Sequence, residues 1–248
     1  MNAFFSTVAQ TPAKTSAGPC DLPIFYRDAS QLGVFFRIEL ARAQALLEGT
    51  SLEPWPLLGK AVGAIYAWEY RDSSVGVYNE VGLGIQARRR GARPSLIKLG
   101  FDMSAQDDQG IWVVNLPVTT EAACRAGIEL WGYPKYVTPI DTRFSDDGAS
   151  VRLGDELELS IGRVRGPRMK LPVVTYTARA GRLLRTSIAV DHAVRWGRGT
   201  SAKLTLLGDG PTARSINKLG LDGARPVAAF RSDTFRAILP AGTDLAPI

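Results

Sequence analysis

Two short stretches carry side chains with chemistry in them. Residues 121–137 read EAACRAGIELWGYPKYV and end on Lys135, with Trp131, Tyr133 and Tyr136 as aromatic neighbours. Upstream, Tyr78-Asn79-Glu80 places a carboxylate two residues from a phenol. A lysine with its usual value near ~10.4 is almost wholly protonated at neutral pH and is a poor nucleophile. Aromatic walls would desolvate an amine, and desolvation favours the neutral form. A neutral amine attacks a ketone to form a carbinolamine and then a protonated imine. That cation withdraws electrons from the adjacent carbon, so a carbon–carbon bond there can break or form. Because Tyr136 follows Lys135 and supplies no positive charge, burial is expected to provide the activation.

Both stretches need elements that hold them. Residues 121–131 are predicted to form a helix. Thr119 or Thr120 is its N-cap, and Glu121 sits in the first turn, where a carboxylate is favoured. Ala122, Ala123, Ala126 and Leu130 recur at helical spacing. Gly132 and Pro134 end the helix and leave Lys135 on a rigid corner. Residues 75–87 read as a strand. By alternation Tyr78, Glu80, Gly82 and Gly84 share one face, where the two glycines leave room for a pocket. Val77, Val81, Leu83 and Ile85 are not expected to make one clean apolar stripe.

The turn Gly132-Tyr133-Pro134-Lys135, closing a helix of pattern E-x-A-x-x-x-G-x-E, resembles the acetoacetate decarboxylase family. Tyr78-Asn79-Glu80 resembles the Tyr-x-Glu strand of the same family, and the two motifs stand in the family's order. The resemblance implies a barrel-like β fold with Lys135 inside a cone-shaped cavity as the Schiff-base nucleophile. It also implies Glu80 in the same pocket, moving protons or positioning the substrate, Tyr78 as a neighbour on that face, Glu129 in a structural role, and an oligomer. Activation of such a lysine by a neighbouring cation or by desolvation is a known strategy, for which this family is the standard illustration. The sequence departs from the pattern at three places. Tyr136 stands where a second lysine is expected, and Ile128 stands where the helix carries an arginine. The family's N-terminal pocket arginine has no clear equivalent at Ala29 and Ser30, and Arg27 or Arg37 would serve only with a shifted register. These departures point to a divergent member acting on a larger or differently charged oxo compound.

The rest of the chain agrees with a mainly β protein. At 248 residues, 45% of them hydrophobic, the chain suffices for one large domain. The reading is a flexible arm over residues 1–21 and one acetoacetate decarboxylase-like domain over residues 22–248. Strands are predicted at residues 32–39, 61–70, 96–100, 111–118, 137–144, 149–153, 156–161, 173–178, 183–190, 201–207, 227–232 and 235–239. Short helices are predicted at residues 40–47 and 212–219. Asp146-Asp147-Gly148 is a turn signal between two of the strands. Helices do not alternate with strands, so the expected fold is a large curved antiparallel sheet closing into a barrel.

Other function classes find little support. The net charge of +6 concentrates only at Arg88-Arg89-Arg90 and Arg93. That cluster reads as a hairpin tip without the stacking aromatics of a nucleic-acid groove. No apolar run reaches the ~20 residues of a membrane helix. Two cysteines, Cys20 and Cys124, and the absence of a leader pattern point to the cytoplasm. His192 is the sole histidine, no cluster has zinc spacing, and no G-x-S-x-G elbow or nucleotide fingerprint occurs. No cofactor is therefore expected. The functional expectation is a cofactor-independent lyase acting on a keto acid through Lys135 and Glu80, with Tyr78, Trp131, Tyr133 and Tyr136 binding substrate. An aldolase or dehydratase using the same lysine is the first alternative. A small-molecule binding protein without turnover is the second.

Overall fold

The computed structural model describes residues 3–92, 108–169 and 171–248. The strand expected at 96–100, with Arg93 and Asp107, lies outside the described residues. A short helix α1 (Ala3–Ser6) precedes strands β1 (Thr11–Thr15) and β2 (Gly18–Leu22). Next come β3 (Ile24–Ile38), α2 (Leu40–Ala45), β4 (Leu52–Pro54), β5 (Ala61–Ser73), β6 (Tyr78–Arg89), β7 (Gln109–Asn115) and α3 (Glu121–Trp131). Then follow β8 (Ile140–Ser145), β9 (Gly148–Leu153), β10 (Leu157–Gly162), β11 (Arg168–Met169), β12 (Val173–Arg179) and β13 (Arg182–Val190). The chain closes with β14 (Val194–Arg198), β15 (Ala202–Leu206), α4 (Pro211–Leu219), β16 (Ala228–Leu239) and β17 (Thr243–Pro247).

Strands β16, β3, β5, β6, β7, β12 and β13 follow one another as hydrogen-bonded neighbours. Pairing of Ala189 with Ile238 and of Val190 with Ala237 returns β13 to β16 and closes the ring. Closure removes the sheet edges that would otherwise be open to other chains. The pairings are antiparallel except between β7 and β12, where Thr175 pairs with Ile111 and Tyr176 with Trp112 in parallel. That exception to the expected antiparallel sheet has a topological cause. A parallel pair needs a long crossover, and α3 with β8–β10 supplies one.

Alternation along the strands divides the wall into two faces. The outward residues Leu32, Val34, Phe36 and Ile38 of β3, Ile65 and Ala67 of β5, and Val81, Leu83 and Ile85 of β6 are all buried. They form one core with Val151, Leu153, Leu157, Leu159 and Ile161 from a four-stranded sheet ordered β15-β10-β9-β8, and with Ile216 and Leu219 of α4. The outer face of β6 is thus a clean stripe after all. Val77, of the same parity, lies exposed before the strand begins. Each such large side chain contributes about 1.5–3 kcal/mol on burial, so the second sheet backs the strands that carry the site.

Several features differ from the strand forecast. Residues 227–232 and 235–239 belong to one strand, β16, with register shifts between Ser232 and Phe235. Strands β4, β11, β14 and the terminal β17 add pairings outside the forecast. Residues 11–21, read from sequence as part of an arm, form the β1–β2 hairpin together with Leu22. This hairpin is bound to α3 by Ser16, whose backbone N–H donates to Glu129 Oε2 at 3.0 Å and whose hydroxyl donates to Oε1. Glu129 is thereby the structural partner expected of it.

Candidate active site

Helix α3 forms where the sequence places it. Thr120 is the N-cap, its hydroxyl accepting from the N–H of Ala123 at 3.4 Å. Gly132 ends the helix at φ 66°, a left-handed conformation that glycine adopts without penalty. Arg179 donates to the carbonyls of Glu129 and Leu130 at 3.0 Å each and satisfies part of the helix end. The chain then turns through Tyr133 and Pro134, and the Lys135 N–H donates to the Tyr133 carbonyl at 2.8 Å.

Residues 116–119 explain how Lys135 meets Glu80. Val118 bridges to Glu80 on one side and to Val137 on the other. Leu116 and Val118 donate to the carbonyls of Pro134 and Tyr136, and Val81 donates to the carbonyl of Pro117. The two functional residues therefore sit on backbone runs one strand removed from each other, about 10 Å apart in backbone. Their long side chains close that gap. Lys135 Nζ lies 2.6 Å from Glu80 Oε2, with the two side chains only 5% and 8% exposed. Gly127 makes the approach possible. A Cβ at that position would lie 2.4 Å from Lys135 Cε and 2.5 Å from Cδ, so the lysine stem crosses α3 over a bare backbone.

The pair opens onto a cavity of about 130 Å³ inside the barrel. Tyr78, Trp131 and Tyr133 line it with Lys135 and Glu80. The Tyr78 and Tyr133 rings lie 5.7 and 5.9 Å from Nζ. Trp131 is wholly buried and donates its indole N–H to the Pro240 carbonyl at 2.8 Å. The Tyr133 hydroxyl bonds to Thr175 at 2.9 Å. Sequence reasoning missed Tyr70 and Tyr26. Tyr70 donates to Glu80 Oε1 at 3.4 Å, and Tyr78 donates to Tyr26 at 3.2 Å. Burial, with the Glu80 charge nearby, holds the hydroxyls of Tyr26, Tyr70 and Tyr78 well above the ordinary tyrosine value, so all three stay protonated. Their signal in sequence was the inward parity of β3 and β5, legible only once the inner face is known.

Two expectations are corrected. Tyr136 does not line the cavity. Its hydroxyl donates to Glu156 Oε1 at 2.6 Å and meets Thr212 at 2.7 Å, on the side of α4. The cause is strand parity, since Tyr136 is the next residue after inward Lys135. Neither Arg27 nor Arg37 supplies a charge to the pocket. Arg27 pairs with exposed Asp72 at 3.2 Å, Arg37 is exposed, and the β3 residues lining the cavity are Ile24, Tyr26, Gln31 and Phe35. Lys135 is also in direct contact with Glu80. Transfer of one proton from Nζ to Oε2 turns an ammonium–carboxylate pair into an amine and a carboxylic acid without changing the net charge of the site.

Among the described residues no group of three or more His, Cys, Asp or Glu side chains could hold a metal ion, and no helix is long and apolar enough to cross a membrane. His192 lies behind the cavity wall, its Nε2 bonded to the Leu171 carbonyl at 2.9 Å and its ring edge-on to Phe235 at 5.2 Å.

Comparison with known proteins places this architecture. No curated protein matches the chain with significance. Acetoacetate decarboxylase from Legionella pneumophila subsp. pneumophila str. Philadelphia 1 is 17% identical with a TM-score of 0.69, covering 98% of this chain and 94% of that one. The enduracididine biosynthesis enzyme MppR, solved in complex with pyruvate, is 13% identical with a TM-score of 0.63, covering 99% and 95%. An acetoacetate decarboxylase-like enzyme from Sphingomonas wittichii RW1 is 16% identical with a TM-score of 0.58, covering 91% and 94%. At these identities the likeness is one of fold. The sequence profile of acetoacetate decarboxylase matches residues 7–156, which include both the Glu80 strand and the Lys135 turn, and the chain belongs to the acetoacetate decarboxylase family.

Proposed function

We propose that the protein is a carbon–carbon lyase that works through a Schiff base on Lys135, with decarboxylation of a β-keto acid as the first reading. The observation that carries this is the buried contact of Lys135 Nζ with Glu80 Oε2 at the wall of an internal cavity. Glu80 takes a proton from the ammonium, and the free amine attacks the substrate carbonyl. Glu80 returns the proton to the carbinolamine oxygen, which leaves as water and forms the protonated imine. The bond to the carboxylate breaks, its electron pair moves into the imine, and CO2 departs from a neutral enamine. Protonation of the enamine carbon and hydrolysis release a ketone and restore Lys135. In this reading the apolar wall contributes by leaving the scissile carboxylate without solvent.

An aldol or dehydration outcome on the same lysine is the second reading. The same protonated imine on Lys135 serves it. Among the described residues lining the cavity, Lys135 is the sole basic side chain, so a carboxylate that must persist through an oxo-acid aldol has no further partner, which supports decarboxylation as the first reading. A keto acid or related oxo compound as ligand, a cytoplasmic setting and a homo-oligomer belong to the same proposal.

Borohydride reduction during incubation with acetoacetate or pyruvate tests the nucleophile. The expected result is a mass adduct on the peptide containing Lys135, lost in Lys135→Arg and formed about a hundredfold more slowly in Glu80→Gln. Labelling of another lysine, or none across a panel of oxo compounds, would overturn the Schiff base and leave the non-catalytic binding protein. Release of CO2 separates the decarboxylase from the aldol reading.

A further inference from the structure

Gln31, Trp68 and Glu80 stand directly opposite one another on β3, β5 and β6. Gln31 is in register with Trp68, and Trp68 with Glu80. All three line the cavity, so they form one rung across its inner wall. Glu80 is engaged by Lys135 and Tyr70. The other two have unmet polar atoms. Gln31 is 1% exposed, and neither its Oε1 nor the buried Trp68 Nε1 has a hydrogen-bond partner among the described residues. Buried polar atoms are rarely left unpaired, and at a cavity the absent partner is a natural place for a ligand group. One group satisfies both atoms at once. A hydroxyl donates to the Gln31 oxygen and accepts from the Trp68 N–H.

The rung also measures the ligand. Facing residues on neighbouring antiparallel strands lie about 4.5–5.5 Å apart. A hydroxyl between β3 and β5 is therefore about 5–10 Å from the Glu80 end, where the imine forms. The wall along that path is aromatic. Tyr66 and Trp68 stack at 5.7 Å, and Trp68 and Tyr70 lie at 6.4 Å with their planes within 6°. Phe35 and Phe235 add to the lining. Flat rings held this way accept another flat ring by offset stacking or edge contact. No second cation among the described lining residues awaits an anion at that end.

We infer that the substrate is an aryl-substituted oxo compound whose ring carries a hydroxyl away from the reacting carbonyl, and that Gln31 and Trp68 are the residues that select it. The inference rests on the Lys135 Schiff-base reading for the position of the carbonyl. It assigns the opposite end of the ligand, whichever bond is then broken.

The test uses three ketones that differ stepwise: acetone, benzylacetone and para-hydroxybenzylacetone. Each is titrated against the full-length protein with borohydride, and labelling of the Lys135 peptide is read by mass spectrometry. The hydroxylated ketone should reach half-labelling at a concentration at least about tenfold below benzylacetone, and benzylacetone below acetone. In Gln31→Leu and Trp68→Phe the gap between the two aryl ketones should close while benzylacetone still labels Lys135, which shows that the site is intact. Equal concentrations for the two aryl ketones in the parent protein, or a gap that survives in both variants, would overturn the inference while leaving the Schiff base standing. If no ketone labels Lys135, the nucleophile reading fails by itself. The selection is then read by calorimetry with the corresponding alcohols, which form no imine. Binding at least about tenfold tighter for the hydroxyaryl alcohol, lost in Gln31→Leu, upholds the inference; equal or absent binding overturns it.

Discussion

The side chain of Lys135 depends on an atom that is missing. Gly127 has no Cβ, and a methyl there would sit 2.4 Å from Cε and 3.3 Å from Nζ. Within a helix, replacing glycine by alanine ordinarily favours folding by about 0.5–1 kcal/mol. At this position the two effects separate stability from function. Gly127→Ala should keep its denaturation midpoint within about 1 kcal/mol of the parent, because the lysine stem can swing aside. Its borohydride trapping rate should fall about a hundredfold, since a displacement near 1 Å is enough to spoil attack geometry. Circular dichroism and trapping on the same samples check both halves. Unchanged trapping would mean that Lys135 does not need its path over α3.

At the scale of elements, the segment carrying Lys135 is tied to α4 by the residue next door. Glu156 is buried and its Oε2 accepts from the backbone N–H groups of Thr212 and Ala213 at 2.7 and 3.0 Å, at the N-terminus of α4. A carboxylate is favoured there by the unpaired N–H groups and the helix dipole. Its other oxygen holds the Tyr136 hydroxyl. Tyr136 thus links the turn carrying Lys135 to a helix cap, and burial with the Glu156 hydrogen bond keeps its hydroxyl protonated far above neutral pH. Tyr136→Phe should lower stability by about 1–2 kcal/mol, the usual worth of a hydrogen bond to a charged group. Imine trapping should stay within about twofold, because the hydroxyl does not line the cavity. Urea denaturation and trapping give the two numbers, and a large loss of trapping with unchanged stability would return Tyr136 to the site.

For the molecule as a whole, barrel closure brings a titratable group into the interior. His192 follows β13, the strand that returns to β16, and bonds to Leu171 in the approach to β12. Burial pushes its imidazole below the ordinary histidine value, with the Leu171 carbonyl and Asp191 acting more weakly the other way. The sign of the pH effect follows. The unfolded chain takes up a proton as pH falls through ~6.5, whereas the folded chain resists it. Stability is therefore lost on acidification, by at most ~1.4 kcal/mol per pH unit from this group. His192→Gln should show a flatter decline between about pH 7 and about pH 5 than the parent. Urea midpoints across that range decide it, and parallel declines would remove His192 from the acid response.

Local rules were enough for what lies within one element. The Thr120 cap, the Gly132 stop and the position of Lys135 after it follow from helix chemistry over about a dozen residues. The shared face of Tyr78, Glu80, Gly82 and Gly84 follows from strand periodicity alone. The motif pair around Lys135 and Glu80 was likewise legible as a family resemblance. Tertiary structure decided everything that depends on which strand lies beside which. Periodicity sorts residues onto two faces but does not say which face is inside, so Gln31, Trp68 and Tyr70 had no visible role, and Tyr136 was drawn into the pocket by adjacency. The parallel β7–β12 pair and the β13–β16 closure join residues far apart in sequence, and no local propensity encodes such pairings. Contact of Lys135 with Glu80 is of the same kind: each residue was found in its own motif, but only residues 116–119, inserted between their backbones, set the two charges 2.6 Å apart.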